Sequence, residues 1–263
     1  MGTVIHPSSV VSPKAQLGEN VSIGPFCTVG DEVQLGNGVE LVSHVVIDGI
    51  TSIGDDTKIF PFASLGLCPQ DLKYKGEKSR LEIGKRNRIR EYATMHTGTQ
   101  GGGMLTKVGD DGLFMIGIHL AHDCIIGNNV IMANNATLAG HVVVGDFAVI
   151  GGLAAVQQFI TIGEHAMIGG MSAVAQNVIP YGVVVGDRAY LSGLNLIGLE
   201  RRGFSKEEMN ALRGAYKIIF LDDDSTMAER MTKAADTYAG VSSVARLVEF
   251  IKSSETGILK TKN

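Results

Sequence analysis

Every sixth residue from Ile5 is aliphatic: Ile5, Val11, Leu17, Ile23, Val29, Leu35, Leu41, Ile47, Ile53, Ile59 and Leu65. The phase breaks, then resumes at Ile83, Ile89 and Met95. It breaks again and returns as Val108, Phe114, Leu120, Ile126, Met132, Leu138, Val144, Ile150, Val156, Ile162, Ile168 and Val174. Glycine often follows directly, as at Gly18, Gly109, Gly127 and Gly145, and small residues such as Ala136, Ala148, Ala154 and Ser172 stand four places on. Neither the 3.6 period of a helix nor the alternation of a half-buried strand explains this spacing. A hexapeptide period predicts a parallel β-helix, with short strands turned at each corner by residues that tolerate positive φ. The aliphatic residue of each hexad points inward, and the small residue fills the space left.

The two breaks are polar and rich in glycine and charge. Residues 67–82 and 99–107 read as loops ejected from the tube, and loops on a rigid scaffold often carry function. After Pro180 the period is lost. Residues 181–204 read as irregular, and helix signals follow. Ser205 to Glu208 forms a capping box that opens a helix ending near Phe220. Thr226 to Glu229 repeats the cue before a second helix to about Tyr238, and residues 242–253 suggest a third. Residues 255–263 are expected to fray. The division is therefore a β-helix over 1–180 and a linker with a small α-helical domain over 181–263.

Composition narrows the function. The formal charge of −4 lacks the basic footprint of a nucleic-acid binder. No apolar run approaches the ~20 residues of a membrane span, and the N-terminus has no signal-peptide pattern. Three scattered cysteines, Cys27, Cys68 and Cys124, fit a reducing cytoplasm better than a disulfide framework.

The hexad pattern resembles the left-handed β-helix of hexapeptide-repeat acyltransferases, with three hexads per triangular coil. Handedness comes from that resemblance alone, since general crossover rules favour the opposite hand. With about eighteen residues per coil, His122 stacks under Gly140 and Gln158, and Asp123 beside His141, with coils ~4.8 Å apart. His119 lies near the same corner and His96 follows Met95. An isolated histidine is usually a solvated surface residue. Here the neighbouring aspartate and the clustering favour a general base whose carboxylate fixes the ring tautomer. A zinc site of His119, His122 and His141 is the rival chemistry. Its close pair has HxxH spacing, unlike the HxxxxH pair of the γ-type carbonic anhydrases, so neither a metal nor another cofactor is expected. A β-helix serving only as a scaffold is the other class of reading, and it would need neither loop.

Longer segments narrow the resemblance further. IGPFC (23–27), PQDLKY (69–74), IGKRNRIRE (83–91), QGGGMLTKVG (100–109), HLAHDCIIGN (119–128), ANNATLAGHV (133–142) and RRGFS (201–205) are similar to the UDP-N-acetylglucosamine acyltransferase family, which opens lipid A biosynthesis. The resemblance spans essentially the whole chain and implies a cytoplasmic homotrimer with sites between neighbouring subunits. It implies transfer of a 3-hydroxyacyl chain from acyl carrier protein to the 3-position of UDP-N-acetylglucosamine or of its 3-amino analogue. The motifs do not separate these two acceptors. By the same resemblance His122 is the base, Asp123 its orienting carboxylate and the Gly140 N–H the oxyanion donor. Lys73, His119, His141 and Gln158 line the donor–acceptor site, and Asp71 and His96 contact the acceptor. Asn195, Arg201 and Arg202 match nucleotide-binding positions, and Gly170 a position that limits acyl length, where glycine leaves room for a long chain. Arg86, Arg88 and Arg90, with Arg201 and Arg202, are candidates to meet the acidic carrier protein. Gln157, Thr97 and Ile197 depart from residues common in the family, where His, Arg and an acidic residue are frequent.

Overall fold

The computed structural model describes residues 2–222 and 225–262. Residues 1 and 263, the ends of the two expected regions, lie outside the described residues. The chain winds into a left-handed parallel β-helix with three flat faces. Face 1 is an eleven-stranded sheet, face 2 has nine strands and face 3 has eight. Each coil gives one short strand to each face in turn. Register follows the predicted stacking: Leu120 pairs with Leu138, which pairs with Val156.

Burial explains the period. From Ile23 to Val174 every residue of the aliphatic series is buried, and so are Ala136, Ala148, Ala154 and Ser172. Only the first coil is open, where Ile5 is 42% exposed. The corners turn on a residue with positive φ, including Asp123 at 61°, His141 at 63° and Phe159 at 65°. Most of the hexad glycines do a different job from the expected one. They stand two places before the turning residue at the corner between faces 3 and 1. There a Cβ on Gly84 would lie 2.2 Å, and one on Gly127 2.3 Å, from the Asp110 and Asp146 carboxylates of the next coil. Those side chains accept backbone N–H bonds up the stack, as from Asn128 N to Asp146 Oδ1 at 2.6 Å. Glycine clears the path for that ladder.

The breaks are smaller than the sequence suggests. The first excursion runs between strands Ser64–Leu67 and Arg80–Ile83. The second occupies 97–104 and includes a 3₁₀ turn at Gln100–Gly102. Residues 105–107, expected in that loop, belong to strand Leu105–Val108, where Thr106 is buried and pairs with Leu81. Polar composition hid a strand whose threonine faces the interior.

Residues 181–204 are more ordered than expected. Gly182–Val185 extends face 1, with Val183 and Val184 pairing parallel to Met167 and Ile168. It also forms an antiparallel hairpin with Tyr190–Leu194. Helix α1, Leu196–Arg201, follows, capped by the Asn195 side chain. Then come α2 (Lys206–Phe220), α3 (Met227–Thr237) and α4 (Ser242–Ser253), as the pattern predicted. Ser205 accepts from the Glu208 N–H at 3.1 Å, and Thr226 with Glu229 forms the reciprocal capping box. Residues 257–261 are not frayed. Asn177 donates to Gly257 O at 3.2 Å, Leu191 N donates to Lys260 O at 2.9 Å, and Ile258 and Leu259 are buried.

Candidate active site

His119 ends its hexad on face 2, and His122 and Asp123 make the corner from face 2 to face 3. One coil on, Gly140 and His141 occupy the same corner, and Gln158 and Phe159 follow above them. The backbone ties these coils together, from His141 N to His122 O at 3.0 Å and from Phe159 N to Gly140 O at 3.2 Å. The expected stack is present.

His122 Nδ1 lies 2.8 Å from Asp123 Oδ2. A carboxylate only accepts, so Nδ1 donates and the Nε2 lone pair is left for another proton. The His122 side chain keeps 11% of its surface exposed, and that of Asp123 1%. Gly140 makes the ring's position possible, because a Cβ there would stand 2.5 Å from His122 Cε1. The glycine thus seats the imidazole, a tighter demand than room for substrate. Among the described residues the Gly140 N–H donates to no backbone or side-chain acceptor.

Burial works against the charged form of the three histidines around His122. Burial, then the neighbouring His119 and His122, pushes the His96 pKa down to about 4. Burial also lowers those of His119 and His141. His119 Nδ1 shares a hydrogen bond of 2.8 Å with Thr94 Oγ1, and His96 meets its ring edge-on at 5.1 Å. His141 stacks flat on Phe159, with ring centroids 4.4 Å apart. Its Nδ1 lies 3.9 Å from Asp123 Oδ2. That contact is an ion pair only if the ring is protonated, and desolvation opposes this, so we read it as a weak polar contact.

Two loop residues join the corner. Asp71 and Lys73 lie close enough to His141 for their charges to act on it, and Asp71 Oδ1 accepts from Lys73 N at 3.0 Å. The first excursion therefore brings charges near His141. Sequence reasoning missed Thr99 and Thr106. Thr99 donates to Asp123 twice, from N to Oδ1 at 2.8 Å and from Oγ1 to Oδ2 at 2.5 Å. Thr106 Oγ1 accepts from Asp123 N at 2.8 Å. The only signal in the sequence was the glycine run beside Thr99, since the hexad phase says nothing about a loop.

Four predicted site residues lie away from this corner. Gly170 is at the corner between faces 1 and 2, where a Cβ would meet Gly152 O at 3.2 Å. Asn195 caps α1 and donates to His165 O at 2.9 Å, so its amide holds the helix to the tube. Arg202 donates to Phe147 O at 2.9 Å at the corner between faces 3 and 1. Its Nη1 is buried without a partner among the described residues. Arg201, next to it, is exposed. Among the proposed carrier-protein arginines, Arg86 forms two 2.7 Å bonds to Asp111, and Arg90 pairs with Glu91, so both are taken up within the chain.

Donor atoms of His122, Asp123 and His141 lie within 4.8 Å of one another. The rival zinc reading would break the bonds that Asp123 already accepts from His122 and Thr99, and His119 does not belong to that group. A groove of about 610 Å³ lies between face 3 and α4, lined by Ile162 and Phe250 among others, and contains none of the clustered histidines.

A triangular hexapeptide β-helix carrying a His–Asp pair against an open backbone N–H defines a hexapeptide-repeat transferase. Two family models match the chain: the six-repeat bacterial transferase hexapeptide over residues 14–49, and "Udp N-acetylglucosamine O-acyltransferase; Domain 2" over residues 177–259. The acyl-[acyl-carrier-protein]–UDP-N-acetylglucosamine O-acyltransferase of Thermodesulfovibrio yellowstonii is 49% identical over 256 residues, covering 97% of this chain and 99% of that one. The protein of the same name from Caulobacter vibrioides is 50% identical over 249 residues, covering 95% and 94%. The solved structure of UDP-N-acetylglucosamine acyltransferase from Campylobacter jejuni matches with a TM-score of 0.93 at 40% identity, covering 98% of this chain and 100% of that one. The chain belongs to the UDP-N-acetylglucosamine O-acyltransferase family and is an acyltransferase.

Proposed function

We propose that this enzyme transfers a 3-hydroxyacyl chain from acyl carrier protein to the 3-position of UDP-N-acetylglucosamine, or of its 3-amino analogue, as the first step of lipid A biosynthesis in the cytoplasm. The observation that carries the reading is the 2.8 Å bond from His122 to Asp123, which leaves Nε2 free beside Gly140. His122 takes the proton of the 3-hydroxyl or 3-amine as that atom attacks the thioester carbon. The Gly140 N–H, free of other acceptors, faces the developing oxyanion. The C–S bond then breaks, and the proton held by His122 passes to the departing thiolate of the carrier. Asp123 stabilises the imidazolium between these steps. Lys73, Asp71, His96, His119, His141 and Gln158 surround the reacting groups. Burial disfavours the charged forms of His96, His119 and His141, which lessens their repulsion of the imidazolium.

The working form is a homotrimer with each site between two copies. What supports this is the distribution of the remaining candidates over other corners: Gly170, which leaves room for a long acyl chain, and Arg201 and Arg202, which meet the nucleotide pyrophosphate. They reach the His122 corner only from a neighbour. The corner between faces 1 and 2 also exposes an apolar stripe, with Leu153 60% and Met171 73% exposed, of the kind that marks a contact surface.

The test is an acyl-transfer assay with both acceptors and with 3-hydroxyacyl carrier proteins of several lengths. The purified protein forms acylated UDP-sugar and free carrier thiol, and a folded His122→Ala variant loses roughly 10³-fold or more in rate. An unchanged rate in that variant removes the base assignment.

A further inference from the structure

The second excursion leaves the tube directly after His96 and returns at Leu105, and its buried base is Thr99. We infer that Thr99 is a positioning residue for the proton-transfer pair, clamping the Asp123 carboxylate so that it presents one oxygen to His122. The inference rests on the acyl-transfer reading above and deepens it.

The clamp is complete around the carboxylate. Oδ1 accepts from the Thr99 N–H at 2.8 Å, and Oδ2 accepts from the Thr99 hydroxyl at 2.5 Å and from His122 Nδ1 at 2.8 Å. The same oxygen therefore serves the base and the threonine. From the other side Thr106 Oγ1 accepts the Asp123 N–H. The loop is shaped to sit this close. A Cβ on Gly102 would stand 2.0 Å from Asp123 Cγ, and one on Gly98 2.8 Å from Oδ1. Gly102 N and Met104 N both donate to Thr99 O, at 3.1 and 2.9 Å, which pins the residue at the neck of the loop. The loop is braced in turn on the first excursion, through Ser79 Oγ to Thr97 Oγ1 at 2.9 Å and Gln100 N to Glu77 Oε1 at 3.1 Å.

An anion buried this deeply is stable only when its lone pairs are occupied, and charge-assisted bonds are its strongest partners. Without the hydroxyl, Oδ2 keeps only His122 in that direction, and the carboxylate is held less firmly, by that bond and by the backbone N–H at position 99. The ring then samples orientations that point Nε2 away from the acceptor. The carboxylate, less neutralised, also holds the imidazolium more strongly.

The experiment compares Thr99→Val, Thr99→Ser and His122→Ala in the full-length enzyme, measuring kcat, KM and the pH–rate profile, with a thermal melt for each. Valine keeps the shape and the backbone donor. For Thr99→Val we expect kcat to fall roughly 10- to 100-fold with KM within about 3-fold, and the acidic limb of the profile to move to higher pH. Thr99→Ser restores kcat to within about 3-fold of wild type, which a role in packing alone would not do, because the methyl group is still missing. If Thr99→Val keeps the wild-type kcat and pH profile while His122→Ala is inactive, the clamp is wrong and the base stands. If Thr99→Ser falls as far as Thr99→Val, the hydroxyl is not the active element and the proposal also fails. An active His122→Ala variant brings down the base reading itself, a result distinct from either.

Discussion

Gly140 shows how a single missing carbon carries chemistry. Its Cβ position lies 2.5 Å from His122 Cε1, too close for any real contact, and the imidazole is the one movable partner. Gly140→Ala is expected to swing the ring off the acceptor, lowering kcat by ~10²-fold or more while the melting temperature shifts by only a few degrees; steady-state kinetics beside calorimetry would check this. His96 carries a pH signature. Its pKa is pushed down to about 4 from an ordinary 6.5, so the folded state prefers the neutral ring. That preference contributes fully above pH 6.5, and it is lost as pH falls towards 4, where the unfolded chain has already taken up its proton. Its size is of the order of 3 kcal/mol. Wild-type stability should therefore drop across that window, and a His96→Gln variant should show a visibly flatter drop in denaturant midpoints at pH 7 and pH 4.5. Equal slopes for the two proteins would remove His96 from the account.

Among the elements, those the sequence revealed are those that repeat a choice. Leu120, Leu138 and Val156 repeat one choice coil after coil, so periodicity placed the strands, and together with the three-hexad coil implied by the family resemblance it placed their register and the His122–Gly140 stack. The helices α2 and α3 were marked by Ser205 and Thr226, local signals that tertiary structure had no reason to override. The hairpin of Gly182–Val185 with Tyr190–Leu194 and the helix α1 were hidden because glycines interrupt them and because Gly182–Val185 takes its parallel partner from the preceding coil. Thr99 and Asp123 are twenty-four residues apart and joined across a loop, so no pattern in the chain announces them. The closing segment makes the same point. Leu259 is 6% exposed and its N–H donates to Asn177 O at 2.9 Å, though the local sequence reads as a frayed end. Replacing Leu259 with Ala is expected to cost ~2–4 kcal/mol, and the loss should appear in chemical denaturation. A change below ~0.5 kcal/mol would mean the strap is not packed as described.

The whole molecule raises a question that no single coil answers, because its candidate chemistry is spread over three corners of one prism. A rigid tube cannot bring them together: its core is packed from Ile23 to Val174 without a hinge, and Arg202 and His122 sit at different corners. Three copies around an axis can, since the same arrangement then presents one corner of each copy to a different corner of the next. This makes a quantitative prediction. His122→Ala and Arg202→Ala should each be poorly active alone. Unfolded together in equal amounts and refolded, they form mixed trimers in which a given site takes His122 from one copy and Arg202 from its neighbour. Both donors are intact in about one quarter of the sites, given random assembly. Activity should therefore return to about a quarter of the wild-type value, with no wild-type chain present. If each site drew both residues from one chain, mixing would restore nothing, because every chain lacks one of them. Recovery thus measures directly whether the active unit is the interface or the single β-helix.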